Sequence, residues 1–258
     1  LLLRRIPHAI FISGAADYLL SDLRPAKPRG KAPSMVRQLL DLVELASGRP
    51  ADTSGELPAA PNYDDLAAEL LPAGQDYVGL APGAGGKHKC WPLERFLELA
   101  ETQLASGRTP VVLLGPEESD WAEQVAGTLP SALLPLQADA ARAGGPTPLL
   151  TIALARRLAL AVANDSGVGH MMAAANCPLV SLFGPTAPEK FAPLVEHART
   201  LRAQDFGGAE MDLIPLSAVE AAVDDLWENV RPPQRTKAPP ARLARAGGTS
   251  RLIGGGAI

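Results

Sequence analysis

Two loops of the chain carry residue types that suit the binding of a phosphate and a sugar. In the stretch AVANDSGVGHMMAAANCPLVSLFGPT, residues 161–186, an apolar run ends in a polar turn and a segment of small residues follows. If a helix begins there, the N–H groups of Ser166 and Gly167 lack intrahelical partners and favour an anion. Asp165 would repel a phosphate, so it either caps the helix or accepts hydrogen bonds from sugar hydroxyls. Both interpretations stay open on local sequence, and a lone His170 is typical of a packed histidine.

The second loop is APGAGGKHKCWP, residues 81–92, which combines glycines with cations. It contains neither the P-loop spacing Gly-x4-Gly-Lys-Ser/Thr nor the Gly-x-Gly-x-x-Gly fingerprint, which disfavours a dinucleotide oxidoreductase. A flexible backbone with two lysines at a strand end suits a diphosphate. A glycine-rich turn with solvated lysines is the alternative. The residues in question are Gly83, Gly85, Gly86, Lys87 and Lys89.

Hydrophobic patterning predicts the elements that must position these loops. Short apolar runs predict strands at 77–82, 109–115, 132–136, 160–163 and 178–183, and a weaker one at 9–13. Helical spacing predicts helices at 35–46, 117–129, 149–158, 168–175 and 216–230, and one that Pro92 opens and Gly107 ends. Strands that alternate with helices over short connections favour an α/β fold, a Rossmann-like parallel sheet with helices on both faces. Ligands bind outside the carboxyl ends of such strands, where both loops lie.

Composition narrows the class of protein. The 258 residues are 47% apolar and 20% charged, as in ordinary soluble globular proteins. A net charge of −4 and 4% aromatic residues argue against nucleic acid as a partner. Two cysteines far apart form no metal or disulfide motif, which favours a cytoplasmic protein without a bound metal. No apolar run is long enough to span a membrane.

The motifs taken in order resemble glycosyltransferase family 9, which contains the ADP-heptose:lipopolysaccharide heptosyltransferases. The resemblance covers about residues 77–195, and three segments carry it: GLAPGAGGKHKCWPLERFLELAE, VVLLGPEE and ANDSGVGHMMAAANCPLVSLFGPT. It implies the GT-B architecture, in which two Rossmann-like domains face a cleft and the C-terminal one binds a nucleotide-sugar. It also implies inverting transfer of a sugar, heptose by analogy, to a lipopolysaccharide-core-type acceptor.

The resemblance assigns roles to individual residues. Lys89 matches the lysine that meets the donor diphosphate, Ser166 and Gly167 match amides that hold phosphate, and Asp165 matches an acid near the donor sugar. The predicted donor-binding set is Lys89, Asp165, Ser166, Gly167, His170, Gly83, Gly85 and Thr186.

The chain departs from the family pattern at several positions. Val168 stands where the family often has a bulky residue or proline, and Gly169 stands where it often has a polar residue. An acid thought to serve the nucleoside is replaced at Leu150–Thr151. Trp91 is expected to pack rather than react.

The family's catalytic acid lies in a Gly-Asp loop that has no match here, so the catalytic residue is unknown and the status as an enzyme is open. The expected domains are an acceptor-side remnant and linker at 1–61, a donor-binding domain at 62–231 and a disordered tail at 232–258. A non-catalytic nucleotide-sugar binding module and another GT-B member, such as a sugar-nucleotide epimerase, are the alternatives.

The expected partners follow from the family. They are a nucleotide-diphosphate sugar, ADP-heptose by analogy, which is a substrate rather than a cofactor, and a glycolipid acceptor. We also expect a monomer with peripheral contact to the inner membrane from its cytoplasmic side.

Overall fold

The fold is taken from a computed structural model that describes residues 32–51, 57–58, 60–139, 141 and 147–230. The predicted strand at 9–13 and the predicted disordered tail at 232–258 lie outside these residues. Within the described part, no helix is both long and apolar enough to cross a membrane. The predicted division into a remnant, a donor domain and a tail stays a prediction.

Five parallel strands form one sheet in the order β2-β1-β3-β4-β5. Every residue of β1, β3 and β4 is buried, which is why these strands read as continuous apolar runs. Strand β5 lies at one edge and is more exposed. The strands are β1 Tyr77–Ala81, β2 Thr109–Val112, β3 Leu160–Asn164, β4 Leu179–Phe183 and β5 Ala198–Arg202.

Helices flank the sheet on both faces, which confirms the predicted fold class. The α-helices of the described residues are α1 Met35–Ser47, α2 Pro61–Leu70, α3 Leu93–Ala105, α4 Trp121–Thr128, α5 Pro148–Ala155, α6 Gly167–Ala174, α7 Pro188–Phe191 and α8 Leu216–Val230. Short 3₁₀ turns occupy Lys87–Lys89, Pro116–Glu118, Pro135–Gln137, Ala203–Phe206 and Met211–Leu213.

Two apolar layers fill the space between sheet and helices. One layer joins one face of the sheet to α3, α4 and α8, with Trp91 and Phe96 at its centre. The other joins the opposite face to α2, α5 and α6 through residues such as Leu71, Leu154 and Met172. The alternation of side chains along β1, β2, β3 and β4 supplies both layers from the same four strands.

Most predicted elements are confirmed within one to three residues, and the differences have local causes. The predicted strand at 132–136 is wrong: Leu133 forms a single bridge to Val111, and Pro135 then begins a 3₁₀ turn. The predicted helix at 117–129 is divided into a 3₁₀ turn and α4. Helix α2 has no counterpart among the predicted helices, and Pro61 opens it at the first helical position.

Helix α8 gives a direct test of the packing on the face that carries Trp91. Its Val219, Val223 and Leu226 are fully buried against the sheet. Because truncation leaves a cavity, Leu226→Ala should lower the free energy of unfolding by about 2–5 kcal/mol in urea titrations. Glu228→Ala, on the exposed side of the same helix, is the control. Equal, small effects of both variants would contradict the packing.

Candidate functional site

The candidate site lies where the direction of the chain's crossovers changes. From β1 the chain crosses to β2 on one side, whereas β3 pairs with β1 on the other side. In a sheet of this order, the loops after β1 and β3 turn away from each other and leave a crevice at their carboxyl ends. The loops that follow are the two that the sequence singled out.

Asn164, the last residue of β3, ties these two loops together. Its amide Nδ2 donates to the Pro82 carbonyl oxygen at 2.7 Å, and its Oδ1 accepts from the Trp91 N–H at 3.1 Å. The side chain is buried, and the residue is 2% exposed. Pro82 and Trp91 are the two ends of the glycine-rich loop, so one side chain fixes both ends of that loop against β3.

Trp91 is part of the core, as predicted. It is fully buried and packs edge-on against Phe96, with 5.0 Å between ring centroids. Its indole N–H donates to the Ile214 carbonyl oxygen at 2.9 Å. The ring therefore anchors the loop to the segment before α8 and leaves Lys89, two residues earlier in the chain, at the surface of the crevice.

Lys89, Asp165 and Thr186 form one polar cluster across the ends of β1, β3 and β4. Lys89 Nζ lies 3.0 Å from Asp165 Oδ2, and the Thr186 hydroxyl donates to the same oxygen at 2.7 Å. The side chains of Lys89 and Asp165 are 28% and 11% exposed, so the pair is partly screened from water. Within the described residues, no group of three potential metal ligands comes together.

The N-terminus of α6 points into the same crevice. Ser166 caps the helix, since its side chain accepts from the Gly169 N–H at 3.4 Å. Asp165 does not cap the helix: its carboxylate faces Lys89 and Thr186 instead. The first-turn N–H groups of Gly167 and Val168 have no intrahelical acceptor. A side chain placed at Gly167 would meet nothing within 4 Å, so an anion has open access to this backbone.

Glu118 lies beside the glycine-rich loop, and sequence reasoning gave it no role. Its carboxylate accepts from the Gly115 N–H at 3.1 Å and lies directly against Gly83, where an added methyl group would collide with it. Burial raises the pKa of the Glu118 carboxyl above its ordinary value. The sequence offered one signal, the Gly-Pro-Glu-Glu segment after β2, which contributed to the resemblance but received no role.

The remaining predicted residues lie at this edge with different surroundings. Gly83 is buried and Gly85 is exposed. His170 is exposed on α6 rather than packed.

Burial, followed by the charge of Glu118, raises the pKa of the Cys90 thiol, which therefore stays protonated near neutral pH.

The position where the family often carries an acid is almost fully buried. Thr151 is 6% exposed, and its hydroxyl donates to the Thr147 carbonyl oxygen at 3.4 Å within the first turn of α5. The hydroxyl is thus bonded within its own helix, and the neutral side chain replaces the acid of the family pattern.

The chain is similar in sequence to a family of known proteins. The family model described as glycosyltransferase family 9 (heptosyltransferase) matches residues 8–211. Lipooligosaccharide heptosyltransferase 2 of Haemophilus influenzae is 32% identical over 127 residues, 48% of this chain and 36% of that protein. Its namesake from Haemophilus ducreyi is 32% identical over 221 residues, 79% of this chain and 62% of that protein. The chain thus spans less than two thirds of the length of each of these relatives.

A solved structure shares the fold. The ADP-heptose lipopolysaccharide heptosyltransferase II of E. coli superimposes with a TM-score of 0.65 at 23% identity, covering 88% of this chain and 72% of that one. At this identity the likeness concerns the fold, and it agrees with the GT-B half predicted from the sequence.

The bridging role of Asn164 can be tested by its removal. Asn164→Ala leaves the Trp91 N–H and the Pro82 carbonyl buried without partners, so unfolding free energy should fall by about 2–4 kcal/mol in urea titrations. The control is Asn229→Ala, an exposed asparagine of α8. A loss no greater than that of the control would contradict the bridge.

Proposed function

Because this chain belongs to glycosyltransferase family 9, we propose that its crevice binds a nucleotide-diphosphate sugar and that the protein transfers the sugar to an acceptor hydroxyl. The observation that carries the proposal is the Lys89–Asp165 pair, which stands in the β1/β3 crevice beside the α6 N-terminus. A cation and free backbone N–H groups suit a diphosphate, and a carboxylate beside them suits sugar hydroxyls. One compact site thus offers both chemistries that a nucleotide-sugar requires.

The diphosphate is assigned to Lys89 and the α6 N-terminus. Charge-assisted hydrogen bonds of this kind are about twice as strong as neutral ones. The N–H groups of Ser166 and Gly167 add the positive end of the helix dipole without any ionisable group. A bound diphosphate would compete with Asp165 for Lys89, and this exchange frees the carboxylate for the sugar.

The two ends of the ligand are assigned from the order of the strands. Glu118 follows β2 and Thr186 follows β4, so they lie on opposite sides of the β1/β3 crevice. With the diphosphate at the crevice and the sugar at Asp165, beside Thr186, the nucleoside extends toward Glu118. A carboxylate there is suited to accept hydrogen bonds from ribose hydroxyls.

The names of the relatives guide the choice of donor and acceptor. The solved E. coli neighbour is named for ADP-heptose and lipopolysaccharide, and the H. ducreyi relative for lipooligosaccharide. We propose ADP-heptose as donor and a lipopolysaccharide-core-type glycolipid as acceptor, reached at the cytoplasmic face of the inner membrane. A transfer assay with both substrates tests this step, and donor binding without transfer would favour the non-catalytic binding module.

Lys89→Ala tests the diphosphate contact. Loss of a charge-assisted contact should weaken binding of both ADP and ADP-heptose roughly 10- to 100-fold in calorimetry. The matched control is Lys87→Ala, which removes an equal charge from the same loop at an exposed position. Unchanged affinity in folded Lys89→Ala, or an equal loss of affinity in Lys87→Ala, would contradict a specific contact between Lys89 and the diphosphate.

Asp165→Asn tests the sugar contact. The change should weaken ADP-heptose binding about tenfold, as expected for the loss of a charged hydrogen-bond acceptor. ADP affinity should hold or improve, because a negative charge beside the diphosphate is gone. Asp139→Asn, at an exposed acid, controls for net charge. Equal losses for the two ligands would contradict the assignment of Asp165 to the sugar.

A further inference from the structure

The hydrogen-bond pattern around Asp165 separates Thr186 from the groups that face the ligand. Asp165 Oδ2 receives two donors, Lys89 Nζ at 3.0 Å and the Thr186 hydroxyl at 2.7 Å. A hydroxyl has a single proton, so Thr186 has none left for a phosphate oxygen, which can only accept. Among the described residues, no donor contacts Asp165 Oδ1, and that oxygen remains for another partner.

The loop that carries Thr186 is held at both ends. The Gly184 carbonyl oxygen accepts from Gln204 Nε2 at 2.6 Å. Gly184 also packs so closely that an added methyl group would lie 2.8 Å from the Ala209 carbonyl oxygen. Two residues after Thr186, Pro188 begins α7. The hydroxyl is therefore presented to Asp165 by a fixed segment.

We propose that Thr186 is a positioning residue: it holds Asp165 Oδ2 so that Oδ1 faces the hydroxyls of the donor sugar. This inference rests on the proposed function and changes the role expected from the sequence, which assigned Thr186 to the donor directly. Thr186 would act on the sugar end of the ligand, and only through Asp165.

The role of Thr186 grows when the ligand is bound. In the free protein, Lys89 and Thr186 share the task of orienting Asp165. Once a diphosphate draws Lys89 away, the Thr186 hydroxyl is the remaining donor to that carboxylate within the described part of the chain. Its removal should therefore weaken binding of ADP-heptose while leaving binding of ADP almost unchanged.

The experiment measures ADP and ADP-heptose affinities by calorimetry in a double-mutant cycle. The variants are Thr186→Val, which keeps the shape and removes the hydroxyl, Asp165→Ala, and the two combined. Thr186→Ser restores a hydroxyl at the same position. Thr200→Val, on an exposed position of edge strand β5, is the control. Thermal unfolding of each variant verifies that it is folded.

The expected result is a loss of about tenfold in ADP-heptose affinity for Thr186→Val, because the hydroxyl bonds a charged group. ADP affinity should change less than twofold, Thr186→Ser should recover most of the loss, and Thr186→Val should add nothing to Asp165→Ala. Losses that add in the double variant, or equal losses for both ligands, would overturn the positioning role.

The failure of the inference is distinguishable from that of the proposed function. If the wild-type chain binds ADP-heptose and Thr186→Val binds it equally well, the positioning role alone is wrong. If the wild type binds neither ADP nor ADP-heptose, the proposed function is wrong and the inference is wrong with it.

Discussion

The site depends on one buried side chain, Asn164, which hydrogen-bonds both ends of the glycine-rich loop. A buried amide must satisfy its donors and acceptors, since leaving them unpaired costs free energy comparable to the bonds themselves. The lowest-energy position of the loop is therefore the one in which Pro82 and Trp91 meet Asn164. Because Asp165 follows Asn164 and Lys89 lies two residues before Trp91, the same constraint brings the lysine and the acid together.

The Lys89–Asp165 pair is suited to exchange rather than to structural support. Ion pairs with access to water contribute little net stability, and both side chains here retain some exposure. A nucleotide-sugar could replace both partners of the pair. Its diphosphate would take the place of the carboxylate beside Lys89, and its sugar hydroxyls would take the place of the ammonium group beside Asp165. The scaffold below is rigid, since the strands that end at these residues are buried along their length. A rigid base with an exchangeable pair at its surface is an economical arrangement for ligand binding.

Membership of glycosyltransferase family 9 and the parallel sheet support each other. Family members with solved structures share the fold at low identity, which is the expected result when a few loop residues carry the chemistry on a common scaffold. The differences at Val168, Gly169 and Thr151 lie in or beside this scaffold. Of these, Thr151 is turned into the helix layer, and in the proposed site the carboxylate at the nucleoside end would instead be that of Glu118.

The sequence by itself determined the elements whose pattern is local. Strands β1, β3 and β4 were predictable because burial on both faces requires unbroken apolar runs. Helices α1 and α8 were predictable from their 3.6-residue period. Edge strand β5 was not, since Arg199 and Arg202 break any apolar run and only its pairing with β4 makes it a strand. The prediction of a strand at 132–136 was wrong for the opposite reason: the segment is apolar, but only Leu133 bridges to β2.

For the candidate site, the sequence singled out most of the residues, and the tertiary structure decided which of them meet. Lys89 and Asp165 are 76 residues apart, and the parallel sheet brings their strand ends side by side. The direction of the Asp165 side chain after β3 decides two further contacts. It leaves Ser166 to cap α6, and it brings the carboxylate to the Thr186 hydroxyl. Glu118 reaches the glycine-rich loop only because Gly83 leaves room for its carboxylate. Such contacts join loops that are distant in the chain, and local patterns of apolar and polar residues do not encode them.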